Sequence, residues 1–335
     1  MNKKNFLIPI MGMFGGLLVV MLLVFPMLSM EVKNIPIGII SLDEGVITPA
    51  ENINAGEKVI NNITKTNNKL IDFKKVKSKK ELKDNLNKGK YYAAMTIPKD
   101  FTKNSLQNNS QIDVTINEGI NPMVTMQLSN GLSTLGEKTG ISVNLKSINS
   151  ISKYGLKAMI LPMMLIIMTF VTSLLTSFLI TENIIDKNKS KCYLKQLVYI
   201  LPMAFIIGFL VTGIAIGISG LDISIITPAL YLALVSLALM LLINGSINLF
   251  GKKGIVIPML LFVLGMALAT IPYEFLNSTW QIIIASWEPF RYIGNGLREV
   301  LYQNHGIFNS SLLSLIIVSS VGILLALINI FNQKN

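Results

Sequence analysis

Six stretches of this chain contain no charged residue: Asn5–Met30, Ala158–Thr181, Gln196–Leu221, Ile223–Gly251, Gly254–Tyr273 and Gly306–Gln333. Each reaches the roughly 20 residues that an α-helix needs to cross a hydrocarbon core of about 30 Å. Inside lipid every backbone N–H and C=O must find its partner within the protein, so such runs form helices rather than open strands. The expected fold class is an α-helical polytopic membrane protein: six transmembrane helices with a small extracellular α/β domain inserted between helices 1 and 2. The expected domains are 1–30, a cytoplasmic start and helix 1; 31–155, an extracellular α/β domain and helical stalk; and 156–335. The last would hold helices 2–6 with a re-entrant or interfacial segment at about 274–304. A cleaved signal peptide is the other reading of the first run. Its apolar stretch is longer than a signal core and no Ala-x-Ala site follows, which favours a retained anchor.

The charged fraction of 14% and a mean hydropathy of +0.57 exclude a soluble or disordered chain. A net charge of +11 raises the question of nucleic acid. The lysines, however, lie in the 31–155 excursion and in short loops, and no basic stripe is interleaved with aromatics, so nucleic acid is not an expected partner. The single cysteine, Cys192, allows no intramolecular disulfide and no cysteine metal cluster. The single histidine, His305, cannot supply an HExxH site or a Ser-His-Asp triad. No GxxxxGK[ST] loop is present, so this chain binds no ATP in that manner. None of the six runs carries Asp, Glu, Lys, Arg or His, which removes the relays used by proton- and ion-coupled pumps. Neither an enzyme nor a bound cofactor is expected, and active transport would draw its energy from another polypeptide.

Lys3 and Lys4 precede the first run; Lys187, Lys189, Lys191 and Lys195 separate the second from the third. Lys252 and Lys253 separate the fourth from the fifth, and Lys334 follows the sixth. Short cytoplasmic loops accumulate lysine. This pattern predicts a cell-membrane protein with both termini cytoplasmic and residues 31–155 extracellular.

Within 31–155, residues 35–42 (IPIGIISL), 91–97 (YYAAMTI) and 111–117 (QIDVTIN) read as strands. Ser78 with Glu81 resembles a capping box before a short helix through Leu82 and Leu86, and Pro98–Leu106 reads as another helix. After Pro122, Val124, Leu128, Leu132 and Leu135 recur at helical spacing, as do Ile141, Leu145, Ile148 and Ile151. Two stalk helices are expected, with dimer contact as a second use of their apolar stripe. Lys74, Lys75, Lys77, Lys79 and Lys80 form either a solvated face or a contact for anionic lipid or wall polymer.

Two segments outside the spans stand out. The loop Glu182–Lys195 carries Ile184, Ile185, Tyr193 and Leu194 among its charges. A plain positive-inside loop accounts for the lysines; four apolar residues outside the membrane suit docking into a partner's groove. The other is Phe275–Trp287, uncharged but too short to cross, followed by Pro289 at the head of an amphipathic helix. Phe290, Ile293, Leu297, Val300 and Leu301 share one side of it, with Arg291, Arg298 and Glu299 off that stripe. It reads as an interfacial anchor or as a lid over a substrate path.

The stretch Glu288–Tyr302 (EPFRYIGNGLREVLY), through Pro289, Gly296, Leu297 and Arg298, resembles the pre-final-helix pattern of the permease subunit of type-2 ABC exporters. Residues 35–45 (IPIGIISLDEG) and 91–101 (YYAAMTIPKDF) are similar to the shorter members of the phage-infection-protein (Pip/YhgE) group. The long coiled-coil insertion of larger members is missing. The resemblance implies a permease paired as a homodimer or as a heterodimer with a related permease, in contact with membrane lipids. A separate ATP-binding cassette subunit would hydrolyse the ATP. It further implies an ATPase-coupling loop at Glu182, Ile184, Ile185, Asp186, Lys187, Lys191, Tyr193 and Leu194. An extracellular gate, the helix before the last span, would comprise Trp287, Glu288, Pro289, Arg291, Gly296, Arg298 and Glu299. The expected function is export of an amphipathic peptide, lipid or drug by alternating access. The alternative is a non-transporting scaffold or receptor acting through its extracellular domain on a phage, a wall polymer or a secretion apparatus.

Overall fold

The computed structural model describes residues 21, 25–26, 29–31, 33–47, 52–65, 70–107, 109–139 and 141–332. Two units result. One holds Val32–Met159 with Tyr302–Asn304; the other holds Ile160–Leu301, the described residues up to Glu31 and those from His305 onward.

The first unit is α/β. In chain order its elements are β1 (Ile35–Ser41), a small hairpin of β2 (Val46–Ile47) and β3 (Asn52–Ile53), α1 (Ala55–Lys65), β4 (Ile71–Lys75), α2 (Lys79–Asn87), β5 (Ala93–Ile97), α3 (Phe101–Leu106), β6 (Gln111–Asn117), α4 (Pro122–Thr139) and β7 (Ser142–Ile148). The main sheet runs β4-β1-β5-β6-β7. β1 is parallel to both β4 and β5, β5 is antiparallel to β6, and β6 is parallel to β7. The apolar run of β1 fits its inner place, because a strand covered on both faces needs no polar alternation. Ile35, Ile37, Ile39 and Ile40 are all buried.

Asp43, just past β1, ties the unit together. Its carboxylate accepts from the N–H of Gly56 at 2.9 Å, from the N–H of Thr102 at 3.1 Å and from the Thr102 hydroxyl. Those amides open α1 and α3, where unpaired N–H groups favour an anion. Burial alone would raise this carboxyl, but the bonds from Thr102, Gly56 and Gly45 outweigh it and hold Asp43 below its ordinary 3.8. Ser78 caps α2 by accepting from the N–H of Glu81 at 3.1 Å. Val124, Leu128 and Leu132 turn the buried face of α4 inward. The second expected stalk helix is instead β7, paired with β6 from Gln111↔Ser142 to Asn117↔Ile148. Four apolar residues at helical spacing lost to a ladder that pairs the backbone groups facing β6 along the whole strand, reinforced by Asn144 donating to Asp113 at 2.7 Å.

The second unit is a helical bundle: α5 (Leu156–Asn183), α6 (Lys189–Ser219), α7 (Ile226–Phe250), α8 (Val256–Thr270), α9 (Pro289–Tyr302) and α10 (Leu312–Phe331). Among the described residues, four helical stretches are long and apolar enough to cross a membrane: Leu156–Asn183, Lys189–Ser219, Ile226–Thr270 and Leu312–Phe331. The expectation of six spans is therefore corrected to four. The α/β domain precedes the first of these in the chain rather than lying between helices 1 and 2. Most of the run Asn5–Met30 falls outside the described residues. The runs Ile223–Gly251 and Gly254–Tyr273 form one continuous helical stretch, joined by a 3-10 segment at Gly251–Ile255. Its second part, α8, has only 15 residues, a length of about 22 Å that falls short of the hydrocarbon core. Pro272 explains the early stop. A residue before proline is pushed out of the helical region, and Ile271 is extended at φ −81°, ψ 130°.

α7 is the hub of the bundle, buried along most of its length against α6 and α10. Small residues permit that contact: a Cβ on Gly245 would collide with the backbone of Gly322 in α10, and one on Gly208 with Ala229 and Ala233. A polar seam joins α5 to α7. Ser173 and Ser236 share a hydrogen bond of 2.8 Å, Ser177 donates to the Met240 carbonyl at 3.0 Å, and Asn244 donates to Thr181 at 2.8 Å. Replacing Gly322 by leucine must push α10 off α7. The expected loss is about 1–3 kcal/mol, the usual cost of overpacking, read as a lowered midpoint of thermal unfolding in detergent.

Candidate functional site

The bundle has one basic end. Glu182, near the end of α5, is 2.9 Å from Lys252 in the 3-10 segment. Lys189, at the start of α6, donates to the backbone carbonyl of Asn329 at 3.1 Å and to its side-chain oxygen at 2.8 Å. The α5–α6 connection, the α7–α8 junction and the last turn of α10 therefore meet at one end, and a lysine satisfies a carbonyl that the end of α10 leaves open.

The connection itself is short and braced. Asn188 caps α6 by accepting from the N–H of Lys191 at 3.1 Å. Asp186 pairs with Lys195 at 2.8 Å and accepts from the N–H of Asn188 at 3.0 Å. The bond from Lys195 is the main reason that its carboxyl lies below the ordinary 3.8. The structure separates the candidate coupling residues into two groups. Ile185 is 78% exposed and Leu194 62%, with Lys187 and Lys191 also at the surface. Tyr193 is only 8% exposed and faces inward, while Ile184 is half-buried, its carbonyl accepting from Gln196 at 3.0 Å. Four apolar residues in a charged loop were legible in the sequence; their opposite orientations were not, because the start of α6 falls inside the loop.

At the other end, α9 is packed into the bundle rather than lying on it. Phe290, Ile293 and Leu297 are almost fully buried. Phe290 meets edge-on the stacked pair Phe170 and Phe262, whose centroids are 4.0 Å apart. Gly296 leaves room for the Tyr231 hydroxyl, which donates to the carbonyl of Ile293 at 3.0 Å and lies 2.8 Å from that of Ser311. Glu299 accepts from Ser310 and lies 3.4 Å from His305, fastening α9 to the start of α10.

Arg298 and Glu288 are the two groups whose settings sequence spacing missed. Arg298 is only 6% exposed. Its guanidinium donates to the carbonyl of Ala269 at 2.7 Å and to Asn295, closing the carbonyl end of α8. Glu288 precedes Pro289, the first residue of α9, and accepts from the N–H of Arg291 at 2.9 Å as a cap. The Glu288 side chain is fully buried against Gly265, and its other carboxylate oxygen has no partner among the described residues. Burial pushes this carboxyl up to about 7, against the pull of Arg291 and the amides of Arg291 and Phe290. Arg291 lies over the rings of Tyr273 and Tyr292, and Trp287 is exposed. Beside them lies a largely apolar cavity of about 480 Å³, lined by Trp287, Pro289, Tyr292, Leu313, Ile317 and Val321.

The profile of the ABC-2 family transporter proteins matches residues 6–328, almost the whole chain. The chain belongs to that family. No curated protein and no solved structure matches it. As an ABC-2 family protein it is a multi-pass membrane permease, not an enzyme, and it works with a separate ATPase subunit in contact with membrane lipid.

Glu288 gives a pH test. Its folded value lies above the ordinary 4.5, so below about pH 4.5 both folded and unfolded chains hold the proton and no penalty arises. Between that pH and about 7 the unfolded chain releases the proton first, so stability should fall as pH rises. Glu288→Gln should flatten this slope and raise the thermal midpoint at pH 8, measured by unfolding in detergent from pH 4.5 to 8.

Proposed function

We propose that this ABC-2 permease exports an amphipathic peptide, lipid or drug by alternating access, driven through the Glu182–Lys195 loop by the cassette subunit. The observation that carries this reading is the pair Ile185 and Leu194. Both are exposed beside lysines on a loop that is otherwise pinned to the bundle. Apolar side chains at the surface of a braced element suit a partner's groove, since little ordering entropy remains to oppose docking. Bonds from the same end reach α7, α10 and the 3-10 segment, so a push there is shared by the whole bundle.

The lysines of this end make it the cytoplasmic side under the positive-inside rule. The end of α10 is then inside, and residues 31–155, which lead into α5 from the other side, are outside. The absence of Asp, Glu, Lys, Arg and His from the apolar runs Ala158–Thr181, Gln196–Leu221, Ile223–Gly251, Gly254–Tyr273 and Gly306–Gln333 fits a machine powered by ATP rather than by an ion gradient. The apolar cavity with its hydroxyl-bearing rim suits a substrate with a greasy body and a polar end. Two copies, or this chain with a related permease, would enclose the path. Placement beside the short phage-infection-type members rests on the similarity of residues 35–45 and 91–101.

The experiment is a gentle-detergent purification of the tagged chain. A cassette ATPase should copurify with the wild type and be lost from the Ile185→Asp/Leu194→Asp variant while gel filtration shows an intact protein. Equal recovery of the ATPase from both would remove the coupling assignment. Ile184 and Tyr193 are poor targets, because aspartate at a buried position tests folding instead of docking.

A further inference from the structure

Gln196 is 1% exposed, about two turns into α6, and all of its amide is used. Its nitrogen donates to the carbonyl of Ile184 at 3.0 Å, where α5 gives way to the loop, and to the sulfur of Cys192 at 3.4 Å, a bond that serine at 192 can keep. Its oxygen accepts from Asn244 and from Asn248, both in α7 and both at 2.8 Å. Asn244 in turn donates to Thr181 of α5 at 2.8 Å. One side chain thus joins the loop backbone, α6 and the hub helix, and the polar seam of α5 and α7 continues from it toward mid-helix. The bonds from Asn244 to Gln196 and Thr181 are buried, and those that join Gln196 to Ile184 and Asn248 are partly buried. Each such bond is modest, but a buried one strengthens as water is excluded, so helices that share several of them move together or break them at a cost.

We propose that Gln196 is a positioning residue for energy coupling: it links displacement of the Ile184–Asn188 segment to movement of α7. The inference rests on the coupling reading above. Apolar packing lets helices slide past one another by small steps; two amide bonds to α7 and one to the loop do not. Gln196 therefore turns a push on the loop into a shift of the hub helix, which small-residue contacts then pass to α10. Without it the cassette would dock and hydrolyse ATP, but α7 would no longer follow.

The test follows α7 at the end far from the loop. Ile226, at the start of α7, is exposed and is replaced by cysteine in a Cys192→Ser background. Its rate of alkylation by a membrane-impermeant maleimide is measured in membranes carrying the copurifying cassette subunit, with and without ATP and vanadate. In the otherwise unchanged chain, trapping should alter the rate by about fivefold or more, the scale of ordinary coupling between sites. Gln196→Met should abolish the response while the cassette subunit still copurifies and hydrolyses ATP. A purely structural role would also disturb Gln196→Met, so the deciding protein is Gln196→Met/Asn244→Leu. Removing both partners of a buried hydrogen bond spares the penalty of an orphaned group. This double variant should have a higher thermal midpoint than Gln196→Met, because Asn244 no longer lacks its acceptor, yet remain unresponsive. Recovery of the response along with stability would overturn the inference and leave the permease reading intact. No cassette subunit, or no response to trapping with Gln196 in place, would overturn the coupling reading and this inference with it.

Discussion

The bundle depends on one condition: a helix surrounded by other helices in lipid must settle every polar group within the protein. α7 meets most of this with hydroxyl and amide partners on α5 and α6, from Ser236 near its middle to Asn244 and Asn248 near the basic end, the buried Ser246 hydroxyl being an exception. Each bond is modest, since even in membranes such contacts contribute only about 1 kcal/mol. Their value lies in direction. Apolar faces tolerate many rotations of one helix against another, whereas a serine pair and an amide pair on the same seam allow one register. Glycines at the contacts with α10 then bring the backbones close enough for dispersion to do the rest.

The two ends of the bundle use the same chemistry differently. At the basic end, lysines and amides close helix termini and leave Ile185 and Leu194 outward. At the opposite end, the groups that resemble surface charges in the sequence are drawn inside: Arg298 onto the end of α8 and Glu288 against Gly265. One end is therefore braced through helix termini with two apolar side chains left at its surface, and the other is held together by groups buried between helices.

Much of the α/β unit was legible in the sequence because its inner strands are short β-branched or alternating runs bounded by turn residues, as in Ile35–Ser41 and Gln111–Asn117. β7 was not, since Ile141, Leu145 and Ile148 fit a helix as well as a strand and only its pairing with β6 decides. The apolar helices were legible by composition, but their number was not. Counting uncharged residues measures how far a chain avoids charge, not how far a helix extends, and Pro272 was the unread signal that α8 stops early. Of the candidate site, the loop residues were visible as a cluster. Which of them face out depends on helix phase, fixed by the Asn188 cap. The burial of Arg298 was hidden because its partner is a backbone carbonyl in another helix, and no side-chain pattern records that.

The shortness of α8 has a consequence for the lipid around it. Val256, Ile257, Met259 and Leu260 are exposed, whereas Ala267, Leu268 and Ala269 are buried. A helix some 8 Å too short to match the hydrocarbon core would ordinarily pull the bilayer thin or tilt to compensate. Here the far end needs neither, because the guanidinium of Arg298 performs for the Ala269 carbonyl the service that headgroups and water give to a full-length span. Hydrophobic mismatch is absorbed inside the protein, and the leaflet beside the mouth is spared a deformation that would otherwise change with lipid chain length.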